Sequence, residues 1–361
     1  MSARIRVGLA GTGDIGRLHA RALKTNPTVE LYVNAGANPA KAAAFAREFE
    51  AGLYGSYGEM LADPRVRAVD LCIPNDLHRR YAEQAAAAGK AILCEKPMAL
   101  SLEDAEAMIA AARRAGVLLM IAHPLRFWPE YIRMREVLRS CELGSCLAMT
   151  MRRMLSLYVS VPGEQGWRRE SARMGGAVID LQIHDLDFLY WCFGLPERVF
   201  CEATGHTPGD LNHSYATLHY AGGPIALIES SYLLQGDPMV FSAKAVCERG
   251  TLDYALHLEQ FDMHALPGSE AGRAHGRDAA SLVCYRANKA PEVLATQEPD
   301  IFASVFQREL AYFVDCVLGR RNNDLLPAED SLAALQIALA CKRSVETGKP
   351  VAPERAGATL S

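Results

Sequence analysis

The chain has 361 residues, half of them hydrophobic and 22% charged, with a formal net charge of −4. That length exceeds what one core usually supports, so two domains are expected, and the composition excludes extensive disorder. Lys and Arg are scattered rather than gathered into a basic stripe, which argues against a nucleic-acid partner.

From Arg4 the sequence passes directly into an apolar strand-like run, without the pattern of a signal peptide, and no apolar run approaches the roughly 18 residues of a membrane span. A cytoplasmic location is expected. The ten cysteines form no C-x-x-C pair; Cys141 with Cys146 and Cys192 with Cys201 are the closest spacings, and Cys72 and Cys94 sit inside apolar strand patterns. They read as reduced, buried thiols.

In chain order, Ile5 to Ala10 reads as a strand ending at a glycine cluster, and Ile15 to Lys24 as a helix. The alternation repeats: Val29 to Ala35 strand, Pro39 to Phe49 helix, Val69 to Ile73 strand, Leu77 to Ala88 helix, Ala91 to Cys94 strand, Leu102 to Ala115 helix, Val117 to Ala122 strand. Strands alternating with helices imply a doubly wound parallel sheet, a Rossmann-type α/β domain over residues 1–124.

After a helix near Pro129 to Ser140 the texture changes. Strands are expected at Ser145 to Leu155, Val199 to Gly205, Ser214 to Tyr220, Ile225 to Tyr232, Met239 to Cys247 and Gly250 to Tyr254, so residues 125–361 read as an α+β domain with a mostly antiparallel sheet. Helices are expected over Gly176 to Phe193, Phe302 to Leu318 and Ser331 to Thr347, the last two free to pack back on the first domain. Gly268 to Ala280 reads as a surface loop.

The spacing Gly11-x-Gly13-x-x-Gly16 follows a strand and opens a helix. The first glycine permits a tight turn, the second lets the backbone approach a pyrophosphate, and the third allows close helix–strand packing. With Asp14 and Ile15, these residues would hold a dinucleotide at the helix N-terminus. The acidic residue that binds the ribose of NAD is missing, since Gly36 and Ala37 stand at its place; no arginine sits beside Gly36 to reward a 2′-phosphate, so NAD and NADP both remain open.

Two further segments fall at carboxyl ends of expected parallel strands, where open α/β sheets bind ligands. One is Pro74-Asn75-Asp76-Leu77-His78; the other is Glu95-Lys96-Pro97, whose lysine is locked between an acid and a proline. Asp180 and His184 lie four apart in the expected helix and would share a face. A single histidine there disfavours a metal site.

Together, these four segments resemble the glucose-fructose oxidoreductase / inositol dehydrogenase / rhizopine catabolism (Gfo/Idh/MocA) family, from the first strand to Val351. The resemblance implies a Rossmann domain followed by a domain on a large open antiparallel sheet, with the nicotinamide at their junction. It further implies that Lys96 is the catalytic lysine and Asp180 and His184 the substrate-side acid and histidine. Pro74, Asn75, His78, Glu95 and Lys96, with Arg126 beside Phe127 and Trp167 beside Arg168, would lie near the cofactor. Pro124 and Gln182 depart from the family's usual Asn and Gly, placing a larger side chain near the pocket at 182.

The expected reaction is hydride transfer between the nicotinamide and a carbinol carbon of a sugar, inositol or related polyol. His184 would accept the proton, Lys96 stabilise the alkoxide, and Asp180 orient His184 or bind a neighbouring hydroxyl. Two alternatives stand beside it: a carbonyl or dihydrodiol-type reductase with Trp128, Tyr158 and Trp167 lining a less polar pocket, and a non-catalytic nucleotide-sensing regulator of the same fold. An exposed sheet face in the second domain predicts a homodimer or homotetramer.

Overall fold

The run Ile-Arg-Val-Gly-Leu-Ala forms β1 (Ile5–Ala10), buried almost throughout, as a central parallel strand must be. The structure, a computed structural model, describes residues 4–155, 167, 170–205, 211–234, 239–258 and 280–354. The chain divides into two compact units: one takes the residues up to Pro124 with Phe302–Leu332, the other Leu125–Ile301 with the segment from Ala333.

In the first unit β1 is followed by α1 (Asp14–Thr25), β2 (Val29–Asn34), α2 (Pro39–Glu48), β3 (Gly52–Tyr54), α3 (Tyr57–Ala62), β4 (Val66–Leu71), α4 (His78–Ala87), β5 (Ala91–Cys94), α5 (Leu102–Ala115) and β6 (Leu119–Ile121). All pairings are parallel, in the order β3-β2-β1-β4-β5-β6. The order reverses at β1, so the crevice beyond the carboxyl ends of β1 and β4 is the topological switch point. Local chemistry sets the helix ends: the side chains of Asn38, Ser56 and Ser101 accept from the backbone N–H three residues on, and α5 stops at left-handed Gly116.

Three sequence expectations need correction here. β4 begins at Val66, paired with Arg6, and closes before Pro74, so the expected Val69 to Ile73 strand is displaced. β3 and α3 were not foreseen, being an edge strand of 3 residues and a helix of 6, too short to show periodicity. The approach to α4 is a 3₁₀ turn over Asn75–Leu77 rather than helix from Leu77.

The second unit holds α6 (Pro129–Arg139), β7 (Cys146–Met154), a helix over Ile183–Phe193, and β8 (Arg198–Thr204), β9 (His213–His219), β10 (Ile225–Ser231), β11 (Met239–Cys247), β12 (Gly250–Leu258), β13 (Ser281–Tyr285) and β14 (Glu292–Thr296). Its sheet runs β14-β13-β12-β11-β7-β10-β9-β8, antiparallel except for the β7–β10 pair. β7 shows the alternation of a sheet covered on one side: Met149, Met151 and Arg153 are buried while Thr150 and Arg152 are exposed. Tyr131 packs edge-on against Phe188, Trp128 and Tyr254 in the core beneath. β13 and β14, five residues each, were not foreseen.

Two helices close the chain, Ile301–Val317 and Ala328–Thr347. The loop expected over Gly268 to Ala280 lies, apart from Ala280, outside the described residues. No helix among the described residues is long and apolar enough to cross a membrane. All ten cysteines are free thiols, six of them buried.

Candidate active site

The glycine turn is built by exclusion. Gly11 has φ +111°, and a Cβ there would lie 2.0 Å from the carbonyl oxygen of Cys72; a Cβ on Gly16 would lie 2.2 Å from the carbonyl oxygen of Gly11. Both contacts are with backbone, so neither position tolerates a side chain, and the turn packs against the segment leaving β4. Gly13 caps α1 without a side-chain hydrogen bond, which leaves the N-terminal N–H groups of α1 facing the crevice. Asp14 is buried in that first turn, and Ile15 half-buried.

At the end of β2, Gly36 and Ala37 are exposed, and Gly36 has φ +57°. Asn34 lies beneath them, its amide nitrogen 3.9 Å from where a Gly36 Cβ would stand; its buried Oδ1 meets no hydrogen-bond partner. An unpaired buried acceptor beside an open turn suits a ribose hydroxyl. Burial pushes Lys41 of α2 below its ordinary pKa, with the charges of Asp14 and Arg17 nearby. The glycine cradle and this turn together fit a dinucleotide, with Lys41 of α2 a cation that the sequence did not place there.

Lys96 follows β5 directly and is half-buried. The loops on either side of it are tied down by His78, whose fully buried ring places Nδ1 2.9 Å from the Pro97 carbonyl and Nε2 3.1 Å from the Ile73 carbonyl. Burial lowers the His78 pKa, so the ring is neutral near pH 7 and donates to one carbonyl at a time. Pro74 is half-buried and Asn75 buried at the start of the same turn. The Glu95 carboxylate accepts from the Lys96 backbone N–H at 3.2 Å and otherwise points inward, 3.0 Å from Nε2 of His19. His19 and Asp70, which the sequence reading passed over, meet there at 2.9 Å with both side chains fully buried.

On the second unit the expected helix over Gly176 to Phe193 is two pieces. Ala177–Leu181 is a π turn, closed by Gln182 N–H on the Ala177 carbonyl at 2.8 Å, and the α-helix begins at Ile183. The four-residue spacing of Asp180 and His184 therefore does not have its α-helical meaning; π turns of this kind are frequent at functional sites. Asp180 is buried and accepts a 2.5 Å hydrogen bond from Tyr232, one residue past β10. His184 is half-buried in the first α-helical turn. Tyr232 carried no local signal, because only the fold brings it to Asp180.

The acids that follow have other duties. Asp185 binds Arg153 at 2.8 and 3.0 Å, and Asp187 binds Arg126 at 2.7 and 3.0 Å, all four side chains buried. Arg126 thus has its guanidinium inside the second unit on Asp187. Gln182, expected to crowd the pocket, is instead fully buried, and its Oε1 accepts from Ser214 of β9 at 3.1 Å. Trp128 is likewise core, donating to the Tyr254 hydroxyl at 3.1 Å. Trp167 packs on the cluster of Met174, Ala177, Leu181 and Tyr232. Arg168 and Tyr158 lie outside the described residues.

Comparison with known proteins bears on this arrangement directly. Residues 5–123 match the oxidoreductase family with NAD-binding Rossmann fold, and residues 131–253 match the GFO/IDH/MocA C-terminal domain. The chain belongs to the Gfo/Idh/MocA family. Its relatives include inositol 2-dehydrogenase of Rhizobium meliloti (strain 1021), 28% identical over 94% of this chain and 97% of that protein. Trans-1,2-dihydrobenzene-1,2-diol dehydrogenase of Sus scrofa is 28% identical over 80% of this chain and 88% of its own length. A solved structure of levoglucosan dehydrogenase in complex with NADH and levoglucosan shares the fold, with a TM-score of 0.80 and 19% identity over 98% of this chain and all of that one. As a Gfo/Idh/MocA protein the chain is an NAD(P)-dependent oxidoreductase.

Proposed function

We propose that this oxidoreductase acts on a secondary hydroxyl, or the matching carbonyl, of a sugar, inositol or related polyol, with Lys96, Asp180 and His184 as its chemical residues. The observation that carries this reading is the placement of Lys96 at the carboxyl end of β5, beside the switch point that the glycine turn opens. The bound nicotinamide would supply the hydride acceptor or donor. In the oxidative direction His184 would take the hydroxyl proton, and Lys96, as a cation, would stabilise the oxygen on which negative charge develops. Asp180, its carboxylate held by Tyr232, binds a neighbouring hydroxyl or orients His184.

Relatives acting on inositol and on a dihydrodiol support substrates bearing vicinal hydroxyls. The test is a fluorescence titration with NADH and NADPH, followed by a screen of polyols, sugars and aromatic dihydrodiols with the preferred cofactor. Turnover of a polyol or sugar is the expected result; turnover of aromatic dihydrodiols alone would replace this reading with the less polar one. The thiols imply a reducing compartment, in keeping with the cytoplasm.

The same proposal includes self-association. On the outer face of the second unit's sheet, Ile225, Val246 and Tyr285 stand in one cross-strand row, with Leu227 two residues along β10, and all are exposed. A charged border flanks them, Arg152 with Glu229 and Lys244 with Asp253. An apolar patch rimmed by charge suits a second copy. Leu227→Glu is expected to shift a sedimenting dimer or tetramer to monomer; a wild-type monomer at micromolar concentration would remove the idea.

A further inference from the structure

Beneath Lys96 lies a group of ionisable side chains that the proposed chemistry does not use. His19, reached one turn into α1 from the glycine motif, is fully buried, with Nδ1 hydrogen-bonded to Asp70 of β4 at 2.9 Å and Nε2 in ion-pair contact with Glu95 at 3.0 Å, outside hydrogen-bond alignment. A neutral imidazole has one donor and one acceptor, so a ring that faces carboxylates through both nitrogens is held as the cation. We propose that His19 is a positioning residue for Lys96: its imidazolium binds the Glu95 carboxylate from below and so keeps that charge from drawing in the neighbouring ammonium. The inference rests on the reading of Lys96 given above.

The other groups facing the ring agree with this charge state. Burial opposes the cation, yet Asp70 holds the His19 pKa well above its ordinary value. Burial likewise raises Glu95, and the close approach of His19, aided by the charge of Lys96, brings its pKa below the ordinary carboxylate value. From the helix Ile301–Val317, Phe306 packs its ring on His19, and Glu309 is buried; burial first, then the charge of Glu95, push its pKa well up. Cys72 is a thiol for the same reasons, burial and Asp70. His19, Asp70 and Cys72 have donor atoms within 4.8 Å of one another, but both imidazole nitrogens already face carboxylates. The His19 ring thus lies between the carboxylates of Asp70 and Glu95.

Removing the imidazolium leaves Glu95 to the Lys96 ammonium. His19→Gln is expected to lower kcat about 10- to 100-fold, with the NADH or NADPH Kd unchanged. It is also expected to move the alkaline limb of kcat against pH upward by about one unit, because an uncompensated neighbouring carboxylate favours the charged lysine. The double variant His19→Gln/Glu95→Gln removes both charges and should return the limb to its wild-type position, which a merely structural defect would not do. If His19→Gln does not fold, Glu95→Gln alone should move the limb downward. A limb that stays in place in the folded variants, while Lys96→Ala abolishes turnover, overturns the inference. Full turnover in Lys96→Ala would instead remove the reading of Lys96, and this inference with it.

Discussion

Alanine at Lys96 or at His184 is expected to lower kcat by about 10²- to 10⁴-fold while leaving NADH or NADPH binding intact. The two losses have different origins. At position 184 the hydroxyl proton loses its acceptor, and an exogenous base such as imidazole is expected to restore part of the rate. At position 96 the developing alkoxide loses a cation held on a tethered segment, with Glu95 anchored by His19 on one side and the Pro97 carbonyl by His78 on the other. No freely diffusing amine reproduces that placement, so rescue at 96 should be much weaker. Full activity of both variants on the true substrate would dismiss the assignment. The glycine turn belongs to the other half of the experiment: retained cofactor fluorescence separates a chemical defect from a binding one.

The second large effect concerns stability. Asp185 and Arg153 form a bidentate pair inside the second unit, and either partner alone would be an uncompensated buried charge. Loss of one partner of such a pair costs about 3–5 kcal/mol, so Arg153→Met should lower the unfolding midpoint markedly. The pair itself is a poor source of stability, however. Burial raises the Asp185 pKa and Arg153 opposes that rise, and for such pairs desolvation of the two charges offsets much of their attraction. The double variant Arg153→Met/Asp185→Leu is therefore expected to be far more stable than the sum of the two single losses allows. Denaturant unfolding of the four proteins in a double-mutant cycle decides it; strictly additive losses would show that the two residues do not act as a pair.

What local sequence reveals is what local sequence controls. The alternation of apolar runs and helices, the glycine turn and the position of Lys96 after a strand are all set within a few residues, and the fold bears out the two sheets read from them. The partners that fix those side chains come from far along the chain. His19 meets Asp70 and Glu95, and Asp180 meets Tyr232, only once the sheets exist, so neither contact leaves a spacing to be read. Where sequence reasoning assumed regular geometry it misplaced side chains. A π turn replaced the α-helical one at Asp180, and Gln182, placed near the pocket by the family resemblance, is buried and bonded to Ser214 of β9. Trp128, offered as lining a less polar pocket, is buried in the core and donates to the Tyr254 hydroxyl.

The parallel pairing of β7 with β10 has a consequence for how the chain is made. β7 ends at Met154, yet its two neighbours begin only at Ile225 and Met239. On the ribosome the central strand of the second sheet therefore emerges with both edges bare, and waits for a long stretch of synthesis before either is covered. Such nonlocal closure is slow and exposed to mispairing. A chain halted before Ile225 is expected to aggregate through β7, even where its first sheet, built from neighbouring segments, has already formed.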